Sequence, residues 1–207
     1  PPAPNELSMA ELLAAGLHLG HSKSRWNPFT LPFIYGQRSG TYIINLEHTV
    51  AYLRRALNAT REVARAGGII LFIATRPNMV YPVGEAATAC GQYHVNGKWL
   101  PGTLTNSEVV LGRYAPPATR NHVFKPDLMV FFNMLENKPA LAEARASNIP
   151  TIGVVDTDCN PHCVTYPIPA NDDSVTGIKL LAALFSKAAQ EGAYLRQKAY
   201  YQQQQEQ

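Results

Sequence analysis

Apolar residues in this chain occur in two patterns that alternate along its length. Ile69-Ile70-Leu71-Phe72-Ile73-Ala74, Leu128-Met129-Val130-Phe131-Phe132 and Thr151-Ile152-Gly153-Val154-Val155 are short, continuous and rich in branched or aromatic side chains, as in strands covered on both faces. Elsewhere the spacing changes to three and four. Val50, Leu53, Leu57, Thr60 and Ala64 mark one face of a helix that begins near Glu47 and closes at Gly67-Gly68. Residues 82–90 predict a small-residue helix ended by Gly91, and Pro139 opens an Ala-rich helix that Asn148 stops. Asp172-Asp173-Ser174 caps a last helix, striped at Val175, Ile178, Leu181, Ala182, Phe185 and Ala189 and closed by Gly192. Ser8-Met9-Ala10-Glu11 is a capping box for a short first helix that Gly16 ends. The stretch from His18 to Gly40 reads as loop, Thr41 to Leu46 as a buried strand, and Val164 to Ile168 as a short one. Such alternation predicts an α/β fold, a parallel sheet with helices on both faces. With no linker to divide it, residues 8–192 read as one domain, after an extended lead-in (1–7) and before a Gln-rich tail (193–207) whose end, Gln202 to Gln207, is expected to be disordered or frayed.

Composition narrows the classes. Of 207 residues, 46% are hydrophobic and 16% charged, which suits a sizeable core. The longest apolar run, Gly67 to Ala74, is far short of the roughly 20 residues a membrane span needs. Three cysteines, at 90, 159 and 163, are too few for a disulfide scaffold and suit a reducing compartment, with Cys90 a small core residue. The chain opens Pro1-Pro2-Ala3-Pro4 with neither a methionine nor a basic-apolar leader, so a retained signal peptide is not expected and a preceding segment has been removed. Residues 1–125 carry 12 Lys/Arg against 6 Asp/Glu, while residues 126–207 carry 6 against 9. That asymmetry suits a polyanionic partner, or simply a solvated basic face.

Familiar catalytic signatures are missing. There is no phosphate-binding Gly-Lys-Ser/Thr loop, the first strand–helix junction (45–49) has no glycine, and neither a Gly-x-Ser-x-Gly elbow nor a His-Glu-x-x-His helix occurs. Two clusters remain. Asp156 and Asp158 follow a strand, with Asp172 and Asp173 further on, where open α/β sheets bind ligands. Cys159, His162 and Cys163 could ligate zinc with His18 or His21, although the spacing matches no standard zinc signature and Asx residues in loops commonly serve as caps. The second cluster is Lys23, Arg25, Trp26 and Asn27, in a loop shaped by Gly20 and Pro28. Cations for phosphates, a ring for stacking and an amide for sugar or base edges are what RNA recognition uses, although Trp26 could equally be core and the cations solvated. Helical spacing adds Arg54, Arg55, Arg61 and Arg65, a weaker stripe on the outer face of the first long helix.

These stretches fall in a recognisable order. Glu11 to His21, Arg25-Trp26-Asn27-Pro28, Ile34 to Gly40, Ile43-Ile44-Asn45-Leu46, Gly67 to Phe72, Val95 to Leu100, Gly102-Thr103-Leu104-Thr105-Asn106, Lys125-Pro126-Asp127 and Asp156 to Asp173 follow one another as in a single family. The chain resembles the universal ribosomal protein number two of the small subunit, in its bacterial and organellar form, over about residues 8–190. The resemblance implies a flavodoxin-like three-layer sandwich with a parallel central sheet, a short N-terminal helix and an RNA-binding loop. It implies a structural, non-catalytic role without cofactor, metal, membrane or small-molecule substrate. The partners would be small-subunit rRNA near the head–body junction and neighbouring ribosomal proteins. By position, the RNA-facing residues would be Lys23, Arg25, Trp26, Asn27, Arg38, Arg76, Lys98, Trp99, Thr105 and Asn106. The family's long helical hairpin is reduced or absent, since only Ser107 to Lys125 spans its place. Lys98 stands for a customary arginine and Pro101 for a customary glycine. These divergences and the glutamine tail fit a mitochondrial ribosome better than a bacterial or chloroplast one. The competing expectations are an α/β enzyme or nucleotide- or metal-binding protein built on Asp156, Asp158, Asp172 and Asp173, and a protein-docking module.

Overall fold

In the computed structural model, which describes residues 8–111, 113 and 124–205, the capping box forms as written. The Ser8 hydroxyl accepts from the Glu11 N–H and the Glu11 carboxylate accepts from the Ser8 N–H, starting α1 (Met9–Ala14). The expected lead-in, and most of the short stretch standing in for the hairpin, lie outside the described residues.

The stretch expected as loop contains two strands. β1 (Leu19–Ser22) and β2 (Ile34–Arg38) flank β3 (Thr41–Ile44) in a small antiparallel sheet ordered β1-β3-β2. They escaped the pattern because these short strands are bulged and mostly half-exposed, leaving little alternation to read. β3 is likewise half-buried, with Ile44 alone fully covered. Asn45 then turns its side chain to accept from the Glu47 N–H and begins α2 (Leu46–Ala66). That helix ends on Gly67, whose φ of 83° is a left-handed cap that costs a residue without Cβ little.

The remaining elements run β4 (Ile70–Ile73), α3 (Pro77–Ala89), β5 (Tyr93–Val95), α4 (Ser107–Val110), β6 (Leu128–Phe131), α5 (Lys138–Ala146), β7 (Thr151–Val155), β8 (Tyr166–Pro169) and α6 (Val175–Gln205). The second sheet has the order β5-β4-β6-β7-β8 with every neighbouring pair parallel, the doubly wound order of a flavodoxin-like fold. Alternate strand residues supply two cores. Ile70, Phe72, Leu128, Val130, Ile152 and Val154 meet α2, α3 and α6 on one face. Ile73, Met129, Phe131 and Val155 meet α5 and the Trp99–Leu104 segment on the other. Fully buried Phe72, Phe131, Phe132 and Phe185 contribute on the order of 1.5–3 kcal/mol each through apolar burial.

Two boundaries and one further strand differ from expectation. α3 starts at Pro77, well before residue 82, because Pro77 suits the first turn and Pro82 strips a partner only from Asn78, in the exposed first turn. β5, three residues long and exposed at the sheet edge, carries no burial signal. α6 does not close at Gly192. That glycine lies where α6 crosses α2, and a Cβ there would strike the Arg61 carbonyl oxygen. Its signal is close approach, not a stop, and the helix continues through the Gln-rich tail as far as Gln205.

Candidate nucleic-acid interface

Thr157 joins the small sheet to the large one. Its hydroxyl accepts from the His21 N–H at 2.8 Å, and its carbonyl accepts from the Asn27 N–H at 2.8 Å and the Thr30 hydroxyl at 3.2 Å. Gly20 lies so close that a Cβ would meet the Thr157 methyl. A single residue, two past the end of β7, thus anchors the segment from 20 to 30.

At the far end of that sheet the cations gather. The Lys23 N–H donates to the Gly40 carbonyl at 3.1 Å and Arg38 pairs with Thr41, so Lys23, Arg25 and Arg38 share the hairpin end. All three are exposed, and no ion pair joins them among the described residues. Phe29, Leu31 and Tyr35, exposed by 57%, 62% and 78%, add apolar and aromatic surface to the same segment. Sequence reasoning passed over them because exposed aromatics in a loop look like any others. Trp26 is half-buried against Tyr42, ring centroids 5.4 Å apart, with its indole N–H turned inward and unpartnered. Asn27 is spent on its own backbone, accepting from the Phe29 N–H to cap the turn at 28–33.

Lys98, Thr105 and Asn106 lie exposed on the segment after β5, but Trp99 between them does not. It is 5% exposed, and its indole N–H donates to Glu143 at 3.0 Å. Glu143 also accepts from the Gly102 and Leu104 N–H groups, at 2.8 and 2.9 Å, and together these donors hold the carboxyl below its usual range against the cost of burial. Trp99 is a core residue that ties this segment to α5, so its ring faces are not free for base stacking.

Arg76 is also committed. Its guanidinium meets Glu136 at 2.8 Å, Asp172 at 3.2 Å and Asp173 at 2.6 Å, and donates to the Asp172 carbonyl. Burial works against the charge, but these acids raise the Arg76 pKa overall. Beside it, His21 lies between Asp156 at 3.2 Å from Nδ1 and Asp173 at 3.2 Å from Nε2, with Asp158 at 3.7 Å. Contact with the fully buried Asp156, outweighing desolvation, lifts His21 to about 9. Burial pushes the Asp172 carboxyl up to about 7 despite Arg76. Arg76 and Lys98 line a cleft of about 400 Å³ with Thr75, Trp99, Glu136 and Asn137, at the strand ends beside the topological switch point between β4 and β6. Its floor is closed by amide and hydroxyl bonds among Thr75, Asn133 and Asn137.

The acidic cluster is therefore a network that includes cations. Among the described residues, the set that could hold a divalent cation is His21, Asp156 and Asp158, whose ligand atoms lie within 4.8 Å of one another. Cys159, His162 and Cys163 do not converge in this way: Cys159 is buried, its thiol pushed up by desolvation, while Cys163 is exposed. Cys90 is partly buried against the α-helical core. On α2, Arg54 and Arg55 are exposed, with Arg55 over the Tyr52 ring at 5.6 Å. Arg61 and Arg65 share Glu62 at 3.5 Å.

Comparison with known proteins places these elements together. A profile described as ribosomal protein S2 matches residues 12–120 and 115–192, a span that includes the Thr157 clasp, the Lys98 segment and both halves of the acidic network. The small ribosomal subunit protein uS2m of Schizosaccharomyces pombe is 47% identical over 205 residues, covering 92% of this chain and 78% of that protein. The protein of the same name from Neurospora crassa is 41% identical over 216 residues, covering 95% of this chain and 49% of that longer protein. The small ribosomal subunit protein uS2 of Phenylobacterium zucineum is 38% identical over 221 residues, covering 90% and 75%. The profile covers most of the sandwich, and identity stays above a third in fungi and bacteria alike; the chain belongs to the ribosomal protein S2 family.

Proposed function

We propose that this chain is a structural constituent of the small subunit of a mitochondrial ribosome, holding rRNA on one side and ribosomal proteins on the other. The observation that carries the reading is the family match over nearly the whole chain, with the uS2m proteins of two fungi among its relatives. The geometry supports a non-catalytic role, since the buried carboxylates and Arg76 are occupied with one another. Lys23, Arg25 and Arg38, with Lys98, Thr105 and Asn106, are the exposed groups offered to phosphates and sugars near the head–body junction. No described helix is long and apolar enough to cross a membrane.

Sucrose-gradient sedimentation of a mitochondrial lysate tests this. The chain should run with the small subunit and move to the top of the gradient after RNase. Recovery at the top before RNase treatment would overturn the reading.

A further inference from the structure

α6 runs on past its last packed turn. Up to Gly192 it lies against α2 and α3, whereas residues 194–204 are exposed all round. At about 1.5 Å per residue that is a spur of roughly 16 Å. Its internal support is slight: a hydrogen bond from Gln204 to the Tyr200 hydroxyl at 2.7 Å and an edge contact between Tyr200 and Tyr201. A single helical segment of this length with no packed face is marginal in water, so its stability calls for a partner outside the chain.

The chemistry of the spur indicates which partner. From Gly192 to Gln205 it carries Arg196, Lys198, tyrosines at 194, 200 and 201, and a run of glutamines, without one carboxylate. Tyr194, Tyr200 and Tyr201 are exposed by 64%, 57% and 63%. At its root the Arg196 guanidinium lies against Gly67, at the end of α2. That puts it beside the end of α2, where Arg61 and Arg65 are already paired with Glu62. Cations, aromatic rings and neutral amides with no acid among them match phosphates and bases. We infer that the spur of α6, with Arg196 and Lys198 as its cations, is a second rRNA-docking surface, separate from the hairpin end of the small sheet. This rests on the rRNA-binding reading above and adds where a second contact lies.

The test uses the full chain and the small-subunit rRNA. R196Q/K198Q removes two cations, and K198Q/Y201A changes residues that touch nothing in the core, so folding is not at stake in the second variant. Affinity is measured against salt, with helicity checked by circular dichroism. R196Q/K198Q is expected to lower the slope of log affinity against log salt by about 1.5–2, near one per lost phosphate contact. K198Q/Y201A should lower it by about one. A photocrosslinker at Tyr200 in assembled subunits should reach rRNA. Wild-type binding with unchanged slopes in both variants overturns the spur and leaves the first interface standing. Crosslinks that reach protein and no rRNA also overturn it. No rRNA binding by the wild type removes both readings together.

Discussion

Glu143 satisfies the indole of Trp99 and the backbone N–H groups of Gly102, Leu104 and Thr105 with one carboxylate, so its loss leaves several donors unpaired at once. Glu143→Ala should cost roughly 3 kcal/mol and shift the urea midpoint downward. Glu143→Gln, which keeps an acceptor, should cost less. The folded carboxyl titrates below its ordinary 4.5, so this stabilisation is present above that pH and disappears on acidification through the folded value. His21 works the other way. It keeps its proton to about 9 when folded and to 6.5 when unfolded, so its contribution is whole below 6.5 and is lost as pH climbs through 9. His21→Gln should flatten the decline in stability between those values, read from denaturation midpoints across pH. Little of this was visible in the sequence. The acids around Asp156 stood out, but their partners Arg76 and His21 lie 80 or more residues away, beyond what local spacing reveals. Trp99 sat in an RNA-like motif, and nothing local distinguishes an indole aimed at solvent from one aimed at a glutamate on another helix.

Helices and strands were legible where burial was complete. β4, β6 and β7, covered on both faces, appear in the sequence as unbroken apolar runs, and α2 shows its full stripe and its glycine cap. β1, β2 and β5 escaped notice because exposed or half-covered strands leave no such record. Gly192 misled for a different reason: a glycine demanded by a neighbouring backbone looks like one demanded by a turn. Inside the continuous helix, two effects of an added methyl at this position oppose each other. Relief of helix entropy would make Gly192→Ala stabilising by up to about 1 kcal/mol. Collision with the Arg61 carbonyl and the Ala64 side chain costs about 1–3 kcal/mol in a packed crossing, so the net effect should be destabilising. Chemical denaturation of the two proteins decides between them.

Across the whole molecule, binding should follow the distribution of free cations more than net charge, which is only +3. Replacing Lys23, Arg25 and Arg38 together by Gln should lower the salt slope of rRNA binding by about 3 while leaving the denaturation midpoint unchanged. Arg76→Gln should do the reverse. It should destabilise the fold by leaving Asp172 buried without its cation, and have little effect on the salt slope. The Thr157 clasp also bears on how the chain is made. The His21 N–H finds its acceptor 136 residues later, so a growing polypeptide has finished residues 20–30 long before their anchor exists. Through most of synthesis the segment from 20 to 30 has its own small sheet but lacks the Thr157 acceptors that anchor it. An early-translated part of this domain is thus among the last to settle, because its contact with the large sheet spans 136 residues of chain.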